Sequence, residues 1–251
     1  MCDEWMPALK LRITSQQFHQ LPRHAAYKYE YFEGHAHLTP RAKFYHALLD
    51  MDQFTPTQPP GNVTIRLMQD DDVSNLEGIF AAAFDRQQPF SSLDEPRRLE
   101  AVRASLKKVC RGGDGPWIRE ASFVAIEDDR HLVGGIFVTL LPDQDPTNWQ
   151  SFHWQEPPPE DCLERCLGRP HITWIFVGPM HAGEGTGTAL LTASVQVLKA
   201  FGYKQLATTF IAGNDSSMLW HWRNGFQLQG YPGSRRRLER MFLRPGQAAG
   251  E

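Results

Sequence analysis

The stretch from Trp174 to Leu191, WIFVGPMHAGEGTGTALL, constrains this chain more than any other. An apolar strand enters a short turn, glycines follow at positions 183, 185 and 187, and an amphipathic helix begins inside the glycine run. Glycine lets the backbone turn tightly and come close to a ligand. The first turn of a helix has N–H groups without intrahelical partners and carries the positive end of the dipole, so it attracts an anion. The stretch therefore reads as a pyrophosphate cradle. Its G-x-G-x-G spacing is neither the Gly-Lys-Ser/Thr ending of a P-loop nor the G-x-G-x-x-G of a dinucleotide fold. A loop with glycines for packing alone is the plain alternative.

The 251 residues are 41% apolar, enough for one large core. A formal charge of −3 provides no broad cationic surface, so nucleic acid is not expected as a partner. No run of 18 apolar residues predicts a membrane span, and Met1 to Lys10 lacks the apolar stretch of a secretory signal. Cys2, Cys110, Cys162 and Cys166 make no disulfide framework, and a reducing cytoplasm is the expected location. Cys162 and Cys166, flanked by His153 and His171, match no common zinc spacing. Buried thiols are the expected reading, and no metal is expected.

Residues 1–54 are rich in aromatic side chains and histidine. Tyr27 to Phe32 and His35 to Thr39 alternate around Glu33-Gly34, which predicts a β-hairpin. Lys43 to Met51 is expected as a short helix. The proline-rich run 55–61 is the best boundary in the chain. Beyond it, periodicity predicts a strand at Val63–Met68, helices at Val73–Phe84 and Glu95–Cys110, and a hairpin of Ser122–Glu127 with Leu132–Leu141. An insertion, Pro142–Pro170, precedes the strand Ile172–Val177. The cradle helix, about Gly185–Phe201, is stopped by Gly202. A strand at Gln205–Ile211, a helix at Asn214–Arg223 and closing strands at Phe226–Gln229 and Leu238–Leu243 complete the order. Strands and helices in this order predict an α/β fold: a mixed central sheet flanked by helices, with an N-terminal hairpin extension.

The second half resembles the GNAT (GCN5-related N-acetyltransferase) superfamily. The likeness covers about Val63–Leu243 in element order and is strong over 172–226. The family motif R/Q-x-x-G-x-G/A, after a Val-x-Pro strand end, is matched by Val177-Gly178-Pro179 and by Ala182-Gly183-Glu184-Gly185-Thr186-Gly187. Ala182 stands in place of the Arg or Gln. The family's downstream Asn, Tyr and Gly-Phe are matched by Asn214, His221 and Gly225-Phe226, with His221 in place of Tyr. The resemblance implies an acyl-CoA N-acyltransferase domain at 61–246 behind an extension at 1–60. It implies transfer of an acetyl group from acetyl-CoA to a primary amine of a small molecule or protein by direct attack. The alternative is a non-catalytic acyl-CoA-binding or sensing module on the same fold. A homodimer is compatible with either.

The resemblance also implies roles for single residues. Backbone groups of Ile175, Phe176 and Val177 would meet the pantetheine arm as an added strand does. That strand would splay from Gln205–Ile211 to open a cleft. The amides of Gly183, Glu184, Gly185, Thr186, Gly187 and Thr188 would hold the pyrophosphate, and Asn214 would bond the arm near the thioester. The Val177 N–H is the implied oxyanion donor. His221 is a candidate acid for the leaving thiolate, provided its cation is populated near neutral pH; the plain reading is a helix-face histidine beside Trp220 and Trp222. Thr209 stands where one branch of the family has a Glu, so the general base is open among Glu127, Glu120 and a water relay. His181 is expected beside the cofactor and Glu184 in solvent. Arg235, Arg236 and Arg237 either meet a phosphate or acidic acceptor or form a solvated turn. Tyr27, Tyr29, Tyr31, His35 and His37 either roof an acceptor pocket or are ordinary strand faces. Trp149, Phe152, His153 and Trp154 leave an apolar or aromatic acceptor open.

Overall fold

The N-terminal alternation folds as expected in the computed structural model, which describes residues 8–24, 27–40, 44–143, 154–211 and 213–229. Strands β1 (Leu9–Arg12), β2 (Tyr27–Phe32) and β3 (His35–Pro40) form an antiparallel sheet in the order β1-β3-β2, with helix α1 (Ser15–Gln20) between the first two in sequence. Glu33 and Gly34 both have positive φ, 51° and 74°. Such a two-residue turn matches the twist of the strands it joins.

Residues 43–51, expected as a helix, instead hold a strand, β4 (Phe44–Asp50). It pairs antiparallel along its whole length with a strand from the other end of the chain, Phe44 opposite Ile211 through Asp50 opposite Gln205. The Ala-Leu-Leu run favours helix by propensity. Burial of Ala47 and Leu49, each 1% exposed, and bonding on both edges override that preference.

The remaining elements are β5 (Val63–Leu67), α2 (Asp70–Asn75), α3 (Glu77–Ala83), α4 (Glu95–Cys110), β6 (Phe123–Glu127), β7 (His131–Leu141), β8 (Arg169–Val177), α5 (Thr186–Phe201), β9 (Gln205–Ile211), α6 (Asp215–Arg223) and β10 (Gln227–Leu228). One expected helix, Val73–Phe84, is thus two, meeting at the fully buried Leu76. The central sheet has the order β10-β4-β9-β8-β7-β6-β5, and β8 with β9 is its one parallel pair among the described residues. The expected boundary near residue 60 falls between β4 and β5, two strands of this same sheet. Leu238–Leu243, expected to close the sheet, lies outside the described residues.

Strand alternation builds a core on each face. Ile136, Val138 and Leu140 of β7 join Leu190, Leu191 and Val195 of α5. Phe137, between them, joins Val124 and Ile126 against Phe80 of α3 and Val102 and Leu106 of α4. No helix among the described residues is long and apolar enough to cross a membrane.

If β4 is integral to the sheet, Leu49→Ala costs about 2–5 kcal/mol of stability, the usual range for a buried leucine. Urea unfolding measures it, and a loss under about 1 kcal/mol would contradict the burial of β4.

Candidate active site

β8 and β9 pair at His171 with Ala207 and at Ile172 with Thr208, and then separate. The separation has a local cause. Phe137 pairs with Trp174 while Val138 pairs with Ile172, so Thr173 is an extra residue in β8. Such a bulge bends its strand. The expected splay is present, and the gap forms a cavity of about 260 Å³. Its lining includes Ile172, Thr208 and His221 on the α5–α6 side and Phe84, Gln88 and Lys108 on the α3–α4 side, so it passes through the sheet.

The bent strand leaves polar backbone facing that gap. The Gly178 N–H donates to the Val133 carbonyl at 2.7 Å. Antiparallel alternation then turns the N–H and C=O of Val177 and Ile175 away from β7, toward the gap. Phe176 is placed otherwise. Its backbone faces Gly135 of β7, and its ring, 4% exposed, stacks on Phe80 at 4.3 Å. Of the three residues expected along the arm, Ile175 and Val177 have the right orientation and Phe176 does not.

The cradle follows through a 3-10 turn, Pro179–His181. Gly183 and Gly185 have φ of 86° and 99°, and a Cβ at either would meet nothing within 4 Å. Glycine is therefore required by backbone conformation, and the space above is open. Gly185 is the N-cap of α5 and offers no side chain to the helix. The first intrahelical bond runs from Ala189 N to Gly185 O, leaving the N–H groups of Thr186, Gly187 and Thr188 open. Thr186 is 1% exposed, and its Oγ1 is buried without a partner. A Cβ on Gly187 would lie 3.2 Å from Trp220 Nε1 and 3.7 Å from Val177 Cγ2, so the cradle abuts the end of β8 and α6. Ala182 and Glu184 are exposed. His181 Nε2 lies 3.0 Å from Glu127 Oε1, tying the loop to β6.

Asn214 caps α6, its Oδ1 accepting from Ser217 N at 3.0 Å. Its Nδ2 donates to the Gln88 carbonyl at 3.0 Å, clamping the 85–93 loop beside the cleft and leaving one Nδ2 hydrogen for a ligand. His221 is 3% exposed and lines the cavity. Its Nδ1 lies 2.7 Å from the Ser217 carbonyl, so Nδ1–H donates there. Nε2 then accepts from the Thr208 hydroxyl at 3.1 Å. Burial lowers its pKa from 6.5 to about 4. A neutral ring at physiological pH has its one N–H on Ser217, which weighs against the proton-donor role expected of it.

Three further residues form a chain that sequence reading did not assemble. His171 Nε2 lies 3.0 Å from Thr209 Oγ1, and Thr209 Oγ1 lies 2.8 Å from His46 Nδ1. Burial, above all, lowers both histidines to about 3. One hydroxyl thus joins two neutral imidazoles at the position where a Glu was sought. The signal available was polar His171 and Thr173 within the otherwise apolar run from Pro170 to Val177. Neither carboxylate candidate lines the cavity: Glu127 is held by His181, and Glu120 is exposed. Asp114 does line it, bonded to Lys108.

The N-terminal sheet reaches this region through Tyr27, whose hydroxyl lies 3.2 Å from Ser92 Oγ and whose ring packs with Phe44 on Ile211. Trp154 Nε1 donates to the Leu140 carbonyl at 2.8 Å. Cys162 is buried, and Cys166 Sγ donates to the Phe201 carbonyl at 2.9 Å. Trp149, Phe152, His153 and Arg235, Arg236 and Arg237 lie outside the described residues.

The buried neutral histidines make stability depend on pH. Folded pKa values of about 3 for His46 and His171 and about 4 for His221 lie below the unfolded value of 6.5. The unfolded chain therefore takes up protons first as pH falls. Their contribution is full above 6.5 and declines below it, by up to about 1.4 kcal/mol per pH unit for each histidine. Urea unfolding between pH 7 and 5, above the carboxylate range, is expected to show this decline. A flat profile would contradict the neutral network.

The sequence matches the acetyltransferase (GNAT) family over residues 84–226. No curated protein matches it. Similar solved structures include a GCN5-related N-acetyltransferase from Sphaerobacter thermophilus, at 16% identity and TM-score 0.48 over 90% of this chain and 58% of that one. The PaiA N-acetyltransferase from Thermoplasma acidophilum, in complex with coenzyme A, has 13% identity and TM-score 0.47 over 69% of this chain and 95% of its own. A GNAT family acetyltransferase from Brucella melitensis, in complex with acetyl-CoA, has 16% identity and TM-score 0.41 over 67% and 88% respectively. This chain spans about 58% of the Sphaerobacter protein's length. The family match takes in more than half of the sequence, with β8, the glycine cradle, α5, β9 and α6 all inside it, and the chain belongs to the acetyltransferase (GNAT) family.

Proposed function

We propose that this chain is an acetyl-CoA-dependent N-acetyltransferase that acetylates a primary amine by direct attack. The observation that carries the reading is the open start of α5 joined to the unpaired edge of β8. Free amides at Thr186, Gly187 and Thr188 suit a diphosphate. The outward-facing backbone of Ile175 and Val177 suits an amide-bearing arm. Acetyl-CoA supplies an acyl carbon already activated as a thioester. The Val177 N–H faces the gap and donates to the thioester oxygen as negative charge grows there, a bond strengthened where water is excluded. The His171–Thr209–His46 chain stays uncharged and offers the neutral amine polar company. The proton that leaves the amine nitrogen is the one the sulfur requires, so its passage through water balances the reaction without a titrating acid.

One observation favours a second reading, an acyl-CoA-binding module without turnover. Asp114, the single carboxylate on the cavity wall among the described residues, is held by Lys108. Calorimetry with acetyl-CoA, CoA and ATP, followed by thiol release across an amine panel, separates the readings. Acetyl-CoA binding without thiol release selects the second, and binding of ATP alone overturns both. Gly185→Val is expected to weaken acetyl-CoA binding by about tenfold or more, because a branched residue cannot hold φ of 99° and its side chain enters the cradle. An unchanged Kd in a folded variant would refute the cradle.

A further inference from the structure

We infer that the half of the cavity facing α3 and α4 takes a compact monoamine with a flat, apolar body, seated against Phe44, Phe84 and Trp174 with its amino group on Gln88 Oε1. The inference rests on the acetyltransferase reading and names the acceptor class for that same cavity.

Charge narrows the class first. Asp114 is the sole acidic side chain on the wall among the described residues, and its carboxylate is bonded to Lys108 Nζ. The pair is close to neutral. An ammonium taken out of water needs a carboxylate partner, and each further ammonium of a polyamine needs another. This wall has none to offer, so a polycation is disfavoured and a single amine in its neutral form is not.

Unsatisfied polar atoms then fix where the amine sits. Gln88 is 4% exposed, lines the cavity, and its Oε1 has no hydrogen-bond partner. An unpaired buried acceptor costs about 1–3 kcal/mol, which a donor on a ligand recovers. The backbone of the same residue is fixed by Asn214 Nδ2. An amino N–H donates to Oε1 directly. Trp174 Nε1 is also buried without a partner.

The walls define the body. Phe84, 9% exposed, meets Trp174 edge-on at 5.9 Å, and Phe90 stacks on Trp174 at 5.9 Å. These contacts hold Trp174 as a rigid wall. Rings recognise rings through offset and edge-on contacts in addition to area burial. The cavity volume of about 260 Å³ serves both halves and has room for a single-ring amine.

Calorimetric titration of 2-phenylethylamine, spermidine and a lysine-bearing peptide into the full chain, with and without CoA, tests the inference. The aromatic amine is expected to bind at least about tenfold more tightly than the other two. Gln88→Leu is expected to weaken it about tenfold, the size of one buried hydrogen bond. Gln88→Glu, which adds a carboxylate, is expected to shift preference toward spermidine, a change that a merely structural glutamine would not produce. Tighter binding of spermidine or the peptide to the unaltered protein overturns the inference, as does no binding of any of the three. Unchanged preference in both Gln88 variants overturns it too. Amine binding is read apart from turnover, so failure of CoA to bind counts against the proposed function and not against the amine site.

Discussion

After Ile172 and Thr208 the two parallel strands of the sheet lose their hydrogen bonds to each other, and the rest of the site depends on that loss. Inside a sheet every N–H and C=O has a partner, and leaving such groups bare in an interior is costly. The extra residue at Thr173 turns the end of β8 away, so Ile175 and Val177 keep polar groups that no strand among the described residues satisfies. The same turn aims β8 at the start of α5, where more unsatisfied N–H groups collect. One strand defect thus lines up a row of backbone donors and acceptors with an anion site. An extended molecule with a diphosphate at one end has the complementary order.

The neutrality of the interior is the second organising fact. His46, His171 and His221 sit where burial removes their charge, and each finds a hydroxyl to bond. Their rings offer a ligand polar contacts without a charge of their own, and the nearby Arg169 guanidinium lowers His46 and His171 further. This suits chemistry in which a neutral nitrogen attacks an uncharged carbonyl. The charge that does develop, on the carbonyl oxygen, falls to a backbone amide whose position does not vary with pH.

The parts of this architecture that the sequence displays are the local ones. The hairpin around Glu33-Gly34, the glycine cradle and the Asn214 cap each occupy a few adjacent residues, and their physics is complete within that span. The strand at Phe44–Asp50 was hidden because its Ala-Leu-Leu run favours helix and its partners lie at the far end of the chain. The commitment of Phe176 to the core was hidden because Ile172–Val177 is apolar on both faces, so only pairing to β7 sets which residues face the gap. The neutrality of His221 is a property of its surroundings and has no signature in the residues beside it. Gln88 and Asp114 come from loops whose approach to the cavity is set by Asn214 and Lys108, contacts that no periodicity announces.

The position of β4 has a consequence for how the molecule comes into being. Its partners are Gln205–Ile211 and Gln227–Leu228, so the first strand of the central sheet to leave the ribosome is among the last to be paired. Contacts this distant in sequence slow folding and leave strand edges bare while they wait. β4 carries Phe44 and His46, one wall and one end of the polar chain. The cavity is therefore completed only once the chain has been made through β9 and α6, and a ribosome-bound fragment holding every earlier element still lacks a finished site.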